Sequence, residues 1–260
     1  MNVLVFSIKT IPDIEGGQRI FGLEGLDEKS TAKAMFHLQQ QQTGTDCLPL
    51  HLHQIASFSI VYRGMGDDMG NLLSVRSFGD EKTDEATFLD QFFEEIKERT
   101  PTLVSWNGNG FDLPIIHYRT LKHNIVASGY WEKGANDTAF LADNYLNRYH
   151  DRHTDLMDVL ASYKKQAVAP LDHIASLLGF PGNMINTRKQ VWDDYLAGRL
   201  AMIREQSEIE ALNIYLVYLR YQYMRGEINQ ETLTEEYNLV RETLLKSEQE
   251  HLKEFEKSWA

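Results

Sequence analysis

The sequence predicts an α/β domain in which a mixed sheet is flanked by helices. Three observations carry that class. Short apolar runs recur at Val3 to Ile8, Ile55 to Tyr62 and Leu72 to Phe78; apolar residues take helical spacing between Asp84 and Glu98; and a compact apolar run from Leu103 to Trp106 meets a glycine-rich turn. With 260 residues, 42% hydrophobic and 25% charged, the chain suits one or two domains, and global disorder, collagen and coiled coil are poor readings.

Each element has a local reason. Val3 to Ile8 ends before the helix-breaking Pro12 and reads as a buried strand opening the core. Ile55 to Tyr62 and Leu72 to Phe78 are separated by Gly64, Gly66 and Gly70 with Asp67 and Asp68, the pattern of an antiparallel hairpin. The polar run Gln39 to Gln42 reads as a mobile loop between the first two strands, so three strands are expected before the first helix. That helix, about Asp84 to Glu98, places Phe88, Phe92 or Phe93 and Ile96 on one face, with acidic residues near its start.

After Pro101 the order is strand, turn, helix: Leu103 to Trp106, then Asn107 to Gly110, then a helical pattern through Ile115, Ile116 and Tyr118. Thr154 is a candidate fifth strand, and Asp155-Leu156-Met157-Asp158 leads into another helix. Pro170, Gly179, Pro181 and Gly182 separate short helices around Leu171 to Leu178 and Val191 to Ala197. From Ile203 to Arg225 a long amphipathic helix carries Ile209, Leu212, Leu216, Leu219 and Tyr223 on one stripe. Thr232 to Trp259 is helical and heavily charged. The expected division is a main domain over 1–225 and a helical extension over 226–260, packed on it or projecting from it.

Charge narrows the function classes. Acidic residues outnumber basic ones 38 to 26, for a net charge of -12, so the molecule as a whole repels polyanions, and nucleic-acid binding must come from a local basic patch or bound metal. Cys47 is the only cysteine, which excludes an intramolecular disulfide and a structural zinc site built on cysteine pairs. The N-terminus has no basic region or cleavage pattern of the secretory kind, and no apolar stretch reaches the length of a membrane helix. A cytoplasmic protein without a membrane partner is the expectation.

The most informative short segment is Asn107-Gly108-Asn109-Gly110-Phe111-Asp112, which puts a carboxylate just past a buried strand, where α/β sheets place their sites. Glycines there permit close approach to the backbone. On pattern alone, a plain turn with Asp112 capping the next helix explains the segment equally well.

Longer stretches identify a relative. Phe6-Ser-Ile-Lys-Thr-Ile-Pro-Asp13, Leu48-Pro-Leu-His-Leu-His53, Ser105-Trp-Asn-Gly-Asn-Gly-Phe-Asp112, Asn144-Tyr-Leu-Asn-Arg-Tyr-His150, His153-Thr-Asp-Leu-Met-Asp158 and Leu178-Gly-Phe-Pro-Gly182 resemble the predicted 3′-5′ exonuclease family. That family is related to the proofreading domain of family B DNA polymerases, in the DEDD superfamily. The resemblance runs from Phe6 to about Arg225 and implies a ribonuclease-H-like fold. It also implies carboxylates in three motifs that hold paired divalent metals, Mg or Mn, with a tyrosine assisting the attacking water. Paired metals neutralise the phosphate, generate hydroxide and stabilise the leaving oxygen.

The chain departs from that pattern at the chemistry. Ser7 and Lys9 occupy the first-strand Asp and Glu positions, and Gln206 and Glu210 align with the helical Tyr and Asp, so only Asp112 is the expected residue. Ser7 is a weak neutral ligand, and Lys9 puts an ammonium where the family has an anion, so metal affinity falls by lost attraction and added repulsion. Asp112 and Glu210 are the surviving acidic positions and the first candidate metal ligands, weak ones. Gln206 cannot move a proton as a tyrosine would. Asp13 lies roughly 13 Å beyond Lys9 along an extended strand and fits a turn; Asp155 and Asp158 stand either as helix-start residues or as compensating carboxylates.

The same cleft suggests another use. Lys9 could pair with a terminal phosphate, or it could simply neutralise Asp112 and Glu210. Asn107, Asn109 and Phe111 join Lys9 as candidate nucleic-acid contacts, as do Arg148 and Arg152, grouped with His150 and His153. Arg188 and Lys189 form a second basic pair. Solvated surface charge is the plainer reading of both groups. Tyr145, Tyr149 and Trp106 could stack on bases or fill the core. The leading expectation is a degenerate exonuclease, a pseudoenzyme with hydrolysis lost or very weak, that binds single-stranded DNA or RNA at its 3′ end without needing a metal. The alternatives are an active Mg or Mn dependent exonuclease with a rearranged site, and a non-catalytic scaffold with a protein partner.

Overall fold

The computed structural model describes residues 2–66, 70–182 and 188–259. Asp67 and Asp68 of the expected hairpin turn lie outside those residues. In chain order, β1 (Val3–Pro12) is followed by α1 (Ile14–Phe21) and α2 (Glu28–Thr43), then by the hairpin β2 (His53–Gly66) and β3 (Gly70–Ser77), α3 (Glu85–Arg99) and β4 (Thr102–Ser105). Next come α4 (Leu113–His123), α5 (Ala139–Ala142), β5 (His153–Asp155), α6 (Leu156–Leu160) and α7 (Leu171–Leu177). The chain continues through α8 (Arg188–Leu196), α9 (Leu200–Met224), α10 (Gln230–Lys246) and α11 (Glu250–Ser258).

The sheet order is β3-β2-β1-β4-β5, antiparallel on the hairpin side of β1 and parallel on the other. This is the mixed, helix-flanked sheet expected of a ribonuclease-H-like α/β domain. Strand periodicity sorts the side chains of β1. Leu4, Phe6 and Ile8 enter one core with Phe88, Leu89, Phe92 and Phe93 of α3, where Phe6 and Phe92 have ring centroids 5.4 Å apart. Val3 and Val5 enter the opposite core with α9, α10 and α11. Ser7 and Lys9 continue the second row, which is why both reach toward α9.

Two expectations change and one holds. Gln39 to Gln42 is the last part of α2 rather than a mobile loop, so two helices stand between the first two strands. Asp27 caps that helix by accepting from Ser30 N at 2.8 Å, and Gly44 ends it in the left-handed conformation. Asp13 does fit a turn: it caps α1 through Gly16 N and pairs with the buried Arg119, away from the cleft. The long helix α9 is not a one-stripe surface helix, because every residue from Ala211 to Leu219 is buried; Tyr223, placed on the stripe, is exposed. Such a helix runs through a core rather than lying on it.

The reason is the C-terminal pair. Leu233, Val240 and Leu244 of α10 and Leu252 and Phe255 of α11 share one hydrophobic core with Val3, Val5 and α9. Arg63 of β2 meets Glu236 of α10 through hydrogen bonds of 2.9 and 2.6 Å, and Tyr215 of α9 donates to the same carboxylate at 2.9 Å. Among the described residues, no helix is long and apolar enough to cross a membrane.

Candidate active site and its relatives

The site forms where β1, the turn after β4 and α9 converge. Opposite Lys9 and Thr10 the register shifts by one, leaving Ala56 of β2 as the extra residue of a bulge, an irregularity of the kind found beside sites. The Lys9 ammonium bonds the Glu210 carboxylate. Ser7 is buried, its carbonyl accepting from Ser207 Oγ at 3.1 Å, while its own hydroxyl has no hydrogen-bond partner among the described residues. Gln206 lies one helical turn before Glu210 but does not line the cleft, and its Oε1 is likewise buried without a hydrogen-bond partner.

Asp112 does not cap the helix that follows it. Its Oδ1 accepts from the Ile8 N–H at 3.4 Å, so the carboxyl faces β1. Burial above all, then the nearby Glu210 charge, holds that carboxyl well above the usual carboxylate range, against opposing pulls from the Ile8 N–H and Lys9. The neutral form is favoured, and a neutral carboxyl donates a hydrogen bond as well as accepting one.

The turn itself is built by Asp155. Its two oxygens accept from Asn107 N and Asn109 N, both at 2.9 Å, and the same side chain caps α6. Burial pushes its carboxyl up, opposed by these N–H groups. Gly108 packs so closely that an added Cβ would collide with Oγ of Ser105. Ser105 Oγ in turn bonds His153 Nε2 at 2.8 Å, and burial lowers the His153 pKa to about 4. Asp155 therefore works as a structural residue of the turn, as Asp158 does: it joins Asn109 Nδ2 at 3.1 Å and Arg148 at 2.6 Å.

The cleft encloses about 550 Å³, within the range of ligand sites. Lys9, Thr10, Asn107, Asp112 and Glu210 supply its polar groups, and Trp106 and Phe111 are part of an otherwise apolar wall. That wall continues through Met157 and residues 168–171, none of which the sequence assigns to the site. Phe111 is held edge-on against His53 at 5.5 Å.

These positions do not fit a two-metal centre. An ammonium stands on one of the two acidic side chains, the other is driven toward its neutral form, and Asp155 is taken by backbone N–H groups. Among the described residues, no group of three or more His, Cys, Asp or Glu is placed to hold a metal ion.

The expected basic group around Arg148 is not one patch. His153 points inward, Arg152 lies 4.0 Å over the Phe140 ring and bonds Asp143 O, and His150 accepts from Asn144 N. Arg148 alone of the four stays with exposed aromatics, while Tyr145 is core, its hydroxyl donating to Pro101 O at 2.7 Å. Lys189 is exposed; the side chain of Arg188 lies outside the described residues.

Comparison with known proteins supports the resemblance. A stretch 26% identical over 147 residues relates this chain to the catalytic polypeptide of DNA polymerase epsilon from Saccharomyces cerevisiae, covering 54% of this chain and 6% of that polymerase chain. A family B DNA polymerase from the hyperthermophilic archaeon Pyrobaculum calidifontis aligns over 84% of this chain and 25% of its own, at 16% identity and a TM-score of 0.48. The chain thus spans only a small part of either polymerase. A family described as a predicted 3′-5′ exonuclease related to the exonuclease domain of PolB matches residues 45–259. Asp112, Gln206 and Glu210 fall inside that match, and Ser7 and Lys9 before it. By a match over most of its length, the chain belongs to this family of predicted 3′-5′ exonucleases related to the PolB exonuclease domain.

Proposed function

We propose that this chain is a family member that does not cut, or cuts very weakly, and whose cleft holds the 3′ end of a single nucleic-acid strand. The observation that carries the reading is the Lys9–Glu210 ion pair on β1 and α9. Metal-assisted phosphodiester hydrolysis needs anions that converge on paired cations. Here one anion is paired with an ammonium, and burial disfavours the charged form of the other. Hydrolysis through Asp155 gains nothing, since both oxygens of that carboxylate hold the turn.

The same arrangement suits a phosphate. Lys9 can exchange its carboxylate for a phosphate oxygen, a neutral Asp112 can donate to one, and the Trp106 and Phe111 side of the cleft offers apolar surface to a base or sugar. No metal is required for holding. The net charge of -12 makes the affinity modest and strongly dependent on salt.

Fluorescence anisotropy of a labelled single strand, without metal, tests the holding role. Binding that weakens with salt and is lost on Lys9→Glu is the expected result. No binding at low salt, or equal binding by wild type and Lys9→Glu, overturns it and favours a scaffold that docks protein partners.

A further inference from the structure

The segment leaving α6 is strained. Ser162 and Tyr163 have φ of 50° and 60°, and the Tyr163 N–H bonds Asp158 O at 2.8 Å, closing the end of the helix. Helices often end through a left-handed residue, usually glycine. The turn explains the positive φ but not the tyrosine, since a bulky side chain there is an outlier and such strain concentrates at functional positions.

What the strained turn achieves is the placement of a ring. Tyr163 lies edge-on to Tyr149, with centroids 5.1 Å apart, and the Arg148 guanidinium sits 5.1 Å from the Tyr163 ring centre. Tyr149 is 70% exposed and Tyr163 40%, so this is not core packing. Lys164 and Lys165 follow at once, both exposed. In a chain of net charge -12, the cations Arg148, Lys164 and Lys165 lie within two residues of the rings along the chain, as does Asp151, and Arg148 is paired with Asp158.

Two connections join the cluster to the cleft. Asp158 binds Arg148 on one side and Asn109 of the glycine-rich turn on the other. Along the chain, Val168 of the cleft wall is five residues from Tyr163, at most about 18 Å of backbone. Exposed aromatic rings among cations are what single strands use, the bases stacking with little sequence preference while phosphates pair with the charges.

We propose that Tyr149, Tyr163 and Arg148 form a stacking platform for bases of a single strand upstream of its 3′ end. The platform rests on the reading of the cleft as the holder of that end. Its occupant is nucleic acid, DNA or RNA. The arginine keeps the two rings in place through its bond to Asp158 and its position over Tyr163.

Anisotropy titrations with a short strand of about three nucleotides and a long one of about twelve separate platform from cleft. Tyr149→Ala and Tyr163→Gly, the latter suited to the left-handed backbone, each weaken the long strand about tenfold and leave the short one unchanged. Tyr149→Phe and Tyr163→Phe keep wild-type affinity, because stacking needs the ring and not the hydroxyl. Lys9→Glu weakens both strands. Wild-type affinity for the long strand in the two truncations, or losses in the Phe variants equal to theirs, overturns the platform alone. Failure of wild type to bind either strand overturns platform and cleft reading together.

Discussion

The Lys9 ammonium bonds the Glu210 carboxylate across 201 residues of sequence, tying the first strand to the long helix α9. The two side chains are only 11% and 24% exposed. A pair so placed is mutually dependent, because removing either partner leaves a poorly hydrated charge. Beside it sits Asp112, whose raised pKa owes part of its shift to the Glu210 charge.

Lys9→Glu therefore puts a third carboxylate beside Asp112 and Glu210. Without metal the variant melts below wild type through like-charge repulsion. Manganese raises its melting temperature and leaves that of wild type nearly unchanged, since carboxylates take hard cations and an ammonium repels them. A variant as indifferent to manganese as wild type contradicts the account of Lys9 as the group that bars a metal.

Asp112→Asn separates the carboxyl's charge from its shape. Burial raises the folded pKa of Asp112 above its unfolded value, so folding binds the proton more tightly, and stability falls as pH rises from about 4 through the raised folded value. Asparagine cannot ionise and escapes that loss. Urea unfolding at pH 5 and pH 8 gives an advantage of variant over wild type that is larger at pH 8; a constant difference refutes the burial account.

His153 acts in the opposite direction. Its pKa falls from 6.5 to about 4 in the folded chain, so the unfolded state takes up the proton first as the pH drops. Stability is lost from about pH 6.5 down to about pH 4, on the order of 3 kcal/mol over that window. His153→Gln, which can still bond Ser105, flattens the dependence when unfolding midpoints at pH 7 and pH 5 are compared. Identical slopes in the two proteins would place the titration elsewhere.

Arg63 and Glu236 are 2% and 9% exposed and join β2 to α10. Glu236→Ala strands a buried guanidinium and costs about 3–5 kcal/mol. Arg63→Met combined with Glu236→Leu recovers part of that loss, because neither side chain then needs a partner while the buried Tyr215 hydroxyl loses its acceptor. Chemical denaturation of the two singles and the double checks the coupling, and additive losses would show that the pair acts independently.

Much of this was legible because period and punctuation agreed. β1, the hairpin and α3 carry apolar spacing that one face of a core requires, and the turn after β4 announces itself by its glycines. The helix α2 was hidden because its buried face is only Thr31, Ala32 and Met35, too narrow to stand out from a glutamine-rich run; its signals were the caps Asp27 and Gly44. α9 read as one stripe because residues that would face solvent on a lone helix are covered by α10 and α11. In the site, Ser7 and Lys9 fall on one face by strand periodicity, but no local pattern reveals that Lys9 meets Glu210 or that Asp155 braces the turn. Those are long-range contacts, and neither leaves a mark on neighbouring residues.

If the Lys9–Glu210 arrangement leaves a holding site without the hydrolytic one, purified protein incubated with a 5′-labelled single strand and Mg or Mn shortens the strand from its 3′ end no more than Asp112→Ala does. Metal-dependent shortening by wild type that Asp112→Ala abolishes refutes the holding site and restores a hydrolytic one.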